Sequence, residues 1–143
     1  MMKMIVWATD GSKTADRALP FAKELATGEG RSLVAVHINE RFVGGRASGD
    51  PVLADEDELE AKIRGQVEQA KQDGLDATFH LVSGGGGHTA HLIVDAAREC
   101  KADLIVVGTR GHAPVAGLLL GSVTQRLLHV APCPVLAVPP AVD

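Results

Sequence analysis

Residues 103–123 read DLIVVGTRGHAPVAGLLLGSV. A continuous apolar run ends at Gly108, a second glycine follows at Gly111, and Gly121-Ser122 precedes a helical pattern. A run without polar alternation is the mark of a strand covered on both faces, as in a parallel sheet. Gly108 keeps a bulky side chain from blocking the strand tip. Gly111 permits a positive-φ turn or a close backbone approach, and Gly121-Ser122 gathers unbonded helix N–H groups at one spot. Singly, each glycine reads as turn chemistry. Together behind a buried strand they read as a phosphate loop, with the Ser122 hydroxyl either capping the helix or bonding a phosphate oxygen.

Working outward, four more apolar runs appear: MIVWA (4–8), LVAVHI (33–38), ATFHLV (77–82) and PVLAV (134–138). In the 77–82 run Ala77, Phe79 and Leu81 alternate with Thr78 and His80, so this strand has one wet face and is an edge. Helical stripes separate the runs: Ala15, Ala18, Leu19, Ala22 and Leu25; Leu59, Ile63, Val67 and Ala70; Leu92, Ile93, Ala96, Ala97 and Cys100; and a shorter one at Val123, Leu127 and Val130. Pro20 inside the first stripe predicts a kink or a late helix start. Residues 39–54, NERFVGGRASGDPVLA, predict a long loop. The acidic run DEDELE (55–60) is expected to be the solvated first turns of the second helix. This alternation predicts one domain over 1–143, an α/β fold with an open parallel sheet and helices on both faces. Ligands bind such sheets beyond the carboxyl ends of the strands, where the winding reverses.

Composition narrows the function. A net charge of −4 lacks the basic footprint of a nucleic-acid binder, and aromatics at 3% remove stacking platforms. No apolar run reaches the length of a membrane span, and MMKMIVWATDG reads as a buried strand and not a signal peptide. Cys100 and Cys133 lack CxxC spacing, which fits reduced thiols in the cytoplasm, packed as small apolar residues.

Standard nucleotide motifs are absent: no lysine precedes Ser122, and the first strand runs into ATDGSKTA with no GxGxxG. After that strand, Ser12 and Thr14 read as helix caps, whereas Asp10 is either a cap or a carboxylate that accepts from a sugar or base or helps hold a metal. A phosphorelay receiver would need a second Asp after strand three and a Lys after strand five, where the chain has SGGGGH and PPAVD. His88, His91 and His112 show no convergent metal set. No Ser-His-Asp or Cys-His arrangement is readable.

These residues resemble the universal stress protein family, in its ATP-binding branch. The family pattern G-x2-G-x9-G-[S/T] after strand four is met by Gly108, Gly111, Gly121 and Ser122. The flanks ATDGS, LVAVHI, ADLIVVGTRG and APCPVLAVPP extend the likeness across the chain apart from 39–54. The resemblance implies a Rossmann-like sheet of the adenine nucleotide alpha hydrolase type, in the order 3-2-1-4-5, which makes strand three an edge. It implies adenine and ribose at Ala8, Thr9, Asp10, Ile38 and Val107. Ribose and phosphates would meet Gly108, Gly111, Gly121, Ser122 and Val123, with Mg²⁺ or Mn²⁺ bridging the phosphates. The insert HAPVAGLLL lacks basic residues, leaving Arg110, Lys13 and a protonated His112 to offset a triphosphate. Metal dependence or a less charged nucleotide follows. The SGGGGH loop is richer in glycine than the family pattern. The implied function is a nucleotide-dependent regulatory module of the stress response, acting as a homodimer through strand 134–138, with Leu118, Leu119 and Leu120 near enough in sequence to join that interface. The alternative is a slow ATP hydrolase or a nucleotide-activating enzyme, for which no general base stands out beside the glycine loop.

Overall fold

Each apolar run is a strand in the computed structural model, which describes residues 2–39, 49–84, 87–110 and 120–141, with the backbone alone for 49–55. In chain order the elements are β1 (Met4–Ala8), α1 (Lys13–Ala26), β2 (Ser32–Asn39), α2 (Gly49–Gln72), β3 (Asp76–Ser83), α3 (Thr89–Glu99), β4 (Leu104–Gly108), α4 (Ser122–Val130) and β5 (Val135–Val138). All pairings are parallel, and the sheet order is β3-β2-β1-β4-β5.

Side chains alternate across a strand, so each covered strand feeds two cores. Ile5, Trp7, Leu33, Ala35 and Val106 pack with Ala18, Ala22, Ile63 and Val67 of α1 and α2. Val6, Ala8, Val36, Ile38, Ile105 and Val107 pack with Ile93, Ala97 and Leu127 of α3 and α4. Trp7 is fully buried, and its indole N–H donates to Ala15 O at 3.0 Å, so the largest core side chain leaves no polar atom unpaired. The edge reading of β3 holds: most of its residues are exposed, and β2 alone pairs with it.

Three expectations are corrected. Helix α1 does not start late; Ser12 Oγ accepts from Ala15 N at 3.2 Å and caps it at Lys13. It runs through Pro20, which is exposed, so water can serve the Asp16 carbonyl whose amide partner proline lacks. The loop is shorter than 39–54: Asn39 ends β2 and Gly49 already begins α2, while residues 40–48 lie outside the described ones. Pro51 falls in the first turn of α2, where a missing N–H costs no helix bond. DEDELE is therefore not the helix start, and Glu56 within it is buried.

Candidate functional site

The winding reverses between β1 and β4, which are paired neighbours. Beyond their carboxyl ends lies a cavity of about 330 Å³. Ten of the eleven residues named from the sequence line it: Ala8, Thr9, Asp10, Ile38, Val107, Gly108, Arg110, Gly121, Ser122 and Val123. Gly111 and His112 lie outside the described residues, as do Leu118 and Leu119. Five further lining residues escaped the sequence reading: Ala15, Val36, Thr89, Ile93 and Thr124. Val36 was legible in principle, being two positions from Ile38 on one strand and so on the same face. Thr89 brings the start of α3 to the cavity, which no motif announces.

Ala8, Val36, Ile38, Ile93 and Val107 make one wall apolar. The polar lining comes from the strand tips and from two helix starts, at Ser122 and Thr89. Helix α4 begins at Ser122 behind Gly121, its N-cap, and has no side-chain cap bond and no acid in its first turn. Ser122 is thus the first helical residue, and its hydroxyl is not the cap. Helix α3 is likewise uncapped by any side chain and free of first-turn acid. Helix α1 differs, with the Ser12 cap and Asp16. Ser122, Val123 and Thr124, the first turn of α4, line the cavity, and a helix start presents amides without intrahelical partners and the positive end of its dipole. Arg110 is the cation and Asp10 the anion among the described lining residues.

Short bonds hold α4 to the tip of β4. Gly121 N donates to Thr109 O at 2.6 Å, and the buried Thr124 hydroxyl donates to Gly108 O at 2.6 Å. Thr109 N donates in turn to Val138 O of β5 at 2.9 Å. Beside β1, Thr9 Oγ1 accepts from Gly11 N at 3.0 Å, and Asp10 Oδ1 accepts from Ser12 N at 2.9 Å. Since Ser12 is the cap of α1, Asp10 shapes the turn ahead of the helix while it lines the cavity.

Gly108 has a different physical reason from the one its position suggests. A Cβ there would lie 2.8 Å from Thr14 Cγ2 and 3.1 Å from the Thr14 backbone C and O. The glycine lets α1 pack against the strand tip. At Gly84, in the glycine-rich loop after β3, a Cβ would meet the end of the Leu92 side chain of α3. Gly11 combines φ +81° with Leu59 Cδ2 at 2.5 Å from its Cβ position. Among the described residues no group of three or more His, Cys, Asp or Glu could hold a metal ion, and no helix is long and apolar enough to cross a membrane.

A family model described as the universal stress protein family matches residues 1–139. A universal stress protein of Thermus aquaticus is 38% identical over 140 residues, covering 96% of this chain and 99% of that one. Among solved structures, a universal stress protein from Archaeoglobus fulgidus in complex with dAMP is 29% identical with a TM-score of 0.67, covering 96% of this chain and 98% of that one. A universal stress protein in complex with cAMP is 28% identical with a TM-score of 0.65, covering 98% of each chain. The chain belongs to the universal stress protein family.

Proposed function

We propose that this universal stress protein is an adenine-nucleotide-binding module, with ATP occupying the cavity between β1 and β4. The observation that carries the reading is the cavity's division into an apolar wall and an uncapped helix start. An adenine packs against Ala8, Ile38 and Val107, beside Thr9, and the Asp10 carboxylate accepts from ribose hydroxyls. The Ser122 and Val123 amides and the Ser122 hydroxyl receive phosphate oxygens at the start of α4. The dAMP and cAMP complexes of the two relatives support an adenine ligand. Arg110 is one cation against a triphosphate, so Mg²⁺ or Mn²⁺ carried on the phosphates strengthens binding.

The nucleotide acts by biasing a homodimer in the cytoplasm, where the free thiols Cys100 and Cys133 stay reduced. The dimer forms on β5, an edge strand whose Leu136 is 37% exposed, with Leu128 of α4 at 50%. An apolar edge of this kind invites pairing, and an isologous partner satisfies it. The whole chain serves as one domain.

Titration calorimetry with ATP, AMP and cAMP, with and without Mg²⁺, tests the ligand. Micromolar ATP binding, about −8 kcal/mol, is expected, and Gly121→Val should abolish it by filling the helix start. Failure of every adenine nucleotide to bind folded protein would overturn the reading. Light scattering tests the dimer, which Leu136→Pro should convert to monomer by removing a ladder donor.

A further inference from the structure

The cavity is braced from the far side of the sheet. His37 of β2 alternates with Val36 and Ile38, so it faces α2 while they face the cavity. The ring is 3% exposed and makes two short contacts. Nδ1 lies 2.8 Å from Thr9 O, and Nε2 lies 2.6 Å from Glu56 Oε2. A carbonyl oxygen only accepts, so Nδ1 carries a hydrogen and donates it to Thr9. At 2.6 Å the facing Nε2 and Oε2 must then share one proton, because two lone pairs at that distance repel.

The Thr9–Asp10 peptide is trans, so its N–H points opposite to its C=O. By holding the Thr9 carbonyl, His37 fixes the plane of this peptide and turns the Asp10 amide away from the ring. Thr9 and Asp10 both line the cavity.

We propose that His37 and Glu56 are a buried positioning pair that sets the Thr9–Asp10 wall of the nucleotide cavity, so that the proton they share tunes nucleotide affinity. The tuning of affinity rests on the nucleotide reading above; the positioning of the wall does not. Around the pair, α2 contributes Glu60, which also accepts from Asn39 Nδ2 at 2.9 Å, and Lys62, which donates to Gly11 O at 2.8 Å. The turn after β1 contributes Asp10, and β3 sets the uncharged Leu81 in register with His37. Burial pushes the Glu56 carboxyl up, and Glu60 adds to this while His37 opposes it. Loss of the shared proton at rising pH leaves Nε2 facing a carboxylate, which releases α2 from the ring and loosens the grip on Thr9.

The test combines amide NMR of the ligand-free protein with ATP affinity across a pH series. The Asp10 amide shift should move with the titration of the pair, and ATP affinity should fall as the proton is lost. Glu56→Gln keeps a hydrogen-bonding partner for Nε2 but removes the Glu56 carboxyl, so both profiles should flatten over the range in which that carboxyl loses its proton. His37→Asn retains a donor near the Nδ1 position and should keep most affinity, while His37→Phe should lose roughly three- to tenfold. Thermal melts check that each variant is folded. An Asp10 amide that ignores the titration, or an ATP profile equally steep in Glu56→Gln, would overturn the proposal. If the amide follows the pair but no adenine nucleotide binds, the brace stands and the nucleotide reading fails.

Discussion

Replacing Gly108 with alanine separates two roles that the position combines. The added Cβ would sit 2.8 Å from Thr14 Cγ2 and 3.1 Å from the Thr14 backbone. The methyl can rotate, but the backbone belongs to the first turn of α1, which is tied down by the Ser12 cap and by Trp7 Nε1 on Ala15 O. Overpacking of this kind costs about 1–3 kcal/mol, which for a chain of this size lowers Tm by roughly 3–10 °C. Thr14→Ser removes Cγ2, the nearest atom, and leaves the backbone contacts. Added to Gly108→Ala, it should recover about half of the loss, an interaction read from a double-mutant cycle. Scanning calorimetry on the four proteins gives the cycle, and ATP titration on the same samples gives the affinity. A Gly108→Ala protein that melts within about 1 °C of the parent and loses ATP affinity alone would refute the packing argument. The glycine would then serve the ligand and not the helix.

Thr124→Val leaves the buried Gly108 carbonyl without its 2.6 Å donor; unfolding in urea should show a loss of about 1–3 kcal/mol, with weaker ATP binding as α4 loosens. Leu127→Ala, at a fully buried position on α4, should cost about 2–5 kcal/mol by the same assay. Because burial raises the Glu56 carboxyl, the folded state holds its proton longer than the unfolded chain. Stability from this group is complete below the ordinary glutamate range and falls as pH rises through the raised value, a slope that Glu56→Gln should remove. Asp103 has the opposite sign: the Met4 and Lys3 amides hold its carboxyl low. Its contribution is present at neutral pH and lost as pH falls from the ordinary aspartate range through the lowered value, and Asp103→Asn should flatten that acid limb.

Most of the sheet was legible because burial on both faces leaves nothing but apolar residues in a strand. MIVWA and DLIVVG read as covered strands, and β1 and β4 match those runs to within a residue. The half-wet alternation of β3 likewise announced an edge. The start of α2 is hidden because Gly49 and Pro51 carry loop signals, although a first turn tolerates both. Charge patterns alone do not show which carboxylate of DEDELE meets a buried histidine. That partner, His37, sits inside the apolar LVAVHI run and has no motif around it. Pairing of His37 with Glu56 depends on how α2 lies across the sheet, which no local spacing encodes.

The glycines show how a motif can be right about place and silent about cause. A Cβ at Gly108 would strike the Thr14 backbone, so this glycine serves the approach of α1 to the sheet, whereas at Gly11 and Gly84 a Cβ would meet the side chains of Leu59 and Leu92. Gly121 stands apart: it caps α4 without a side chain, and the first turn of that helix holds no acid. A protein that needed only a stable helix gains from a Ser, Asp or Asn at this position, as α1 does with Ser12. The α4 start has no side-chain cap, yet it is fastened to the tip of β4 through Thr109 and Thr124. The case for an anionic ligand is therefore carried by Gly121 and the bonds behind it more than by the count of glycines.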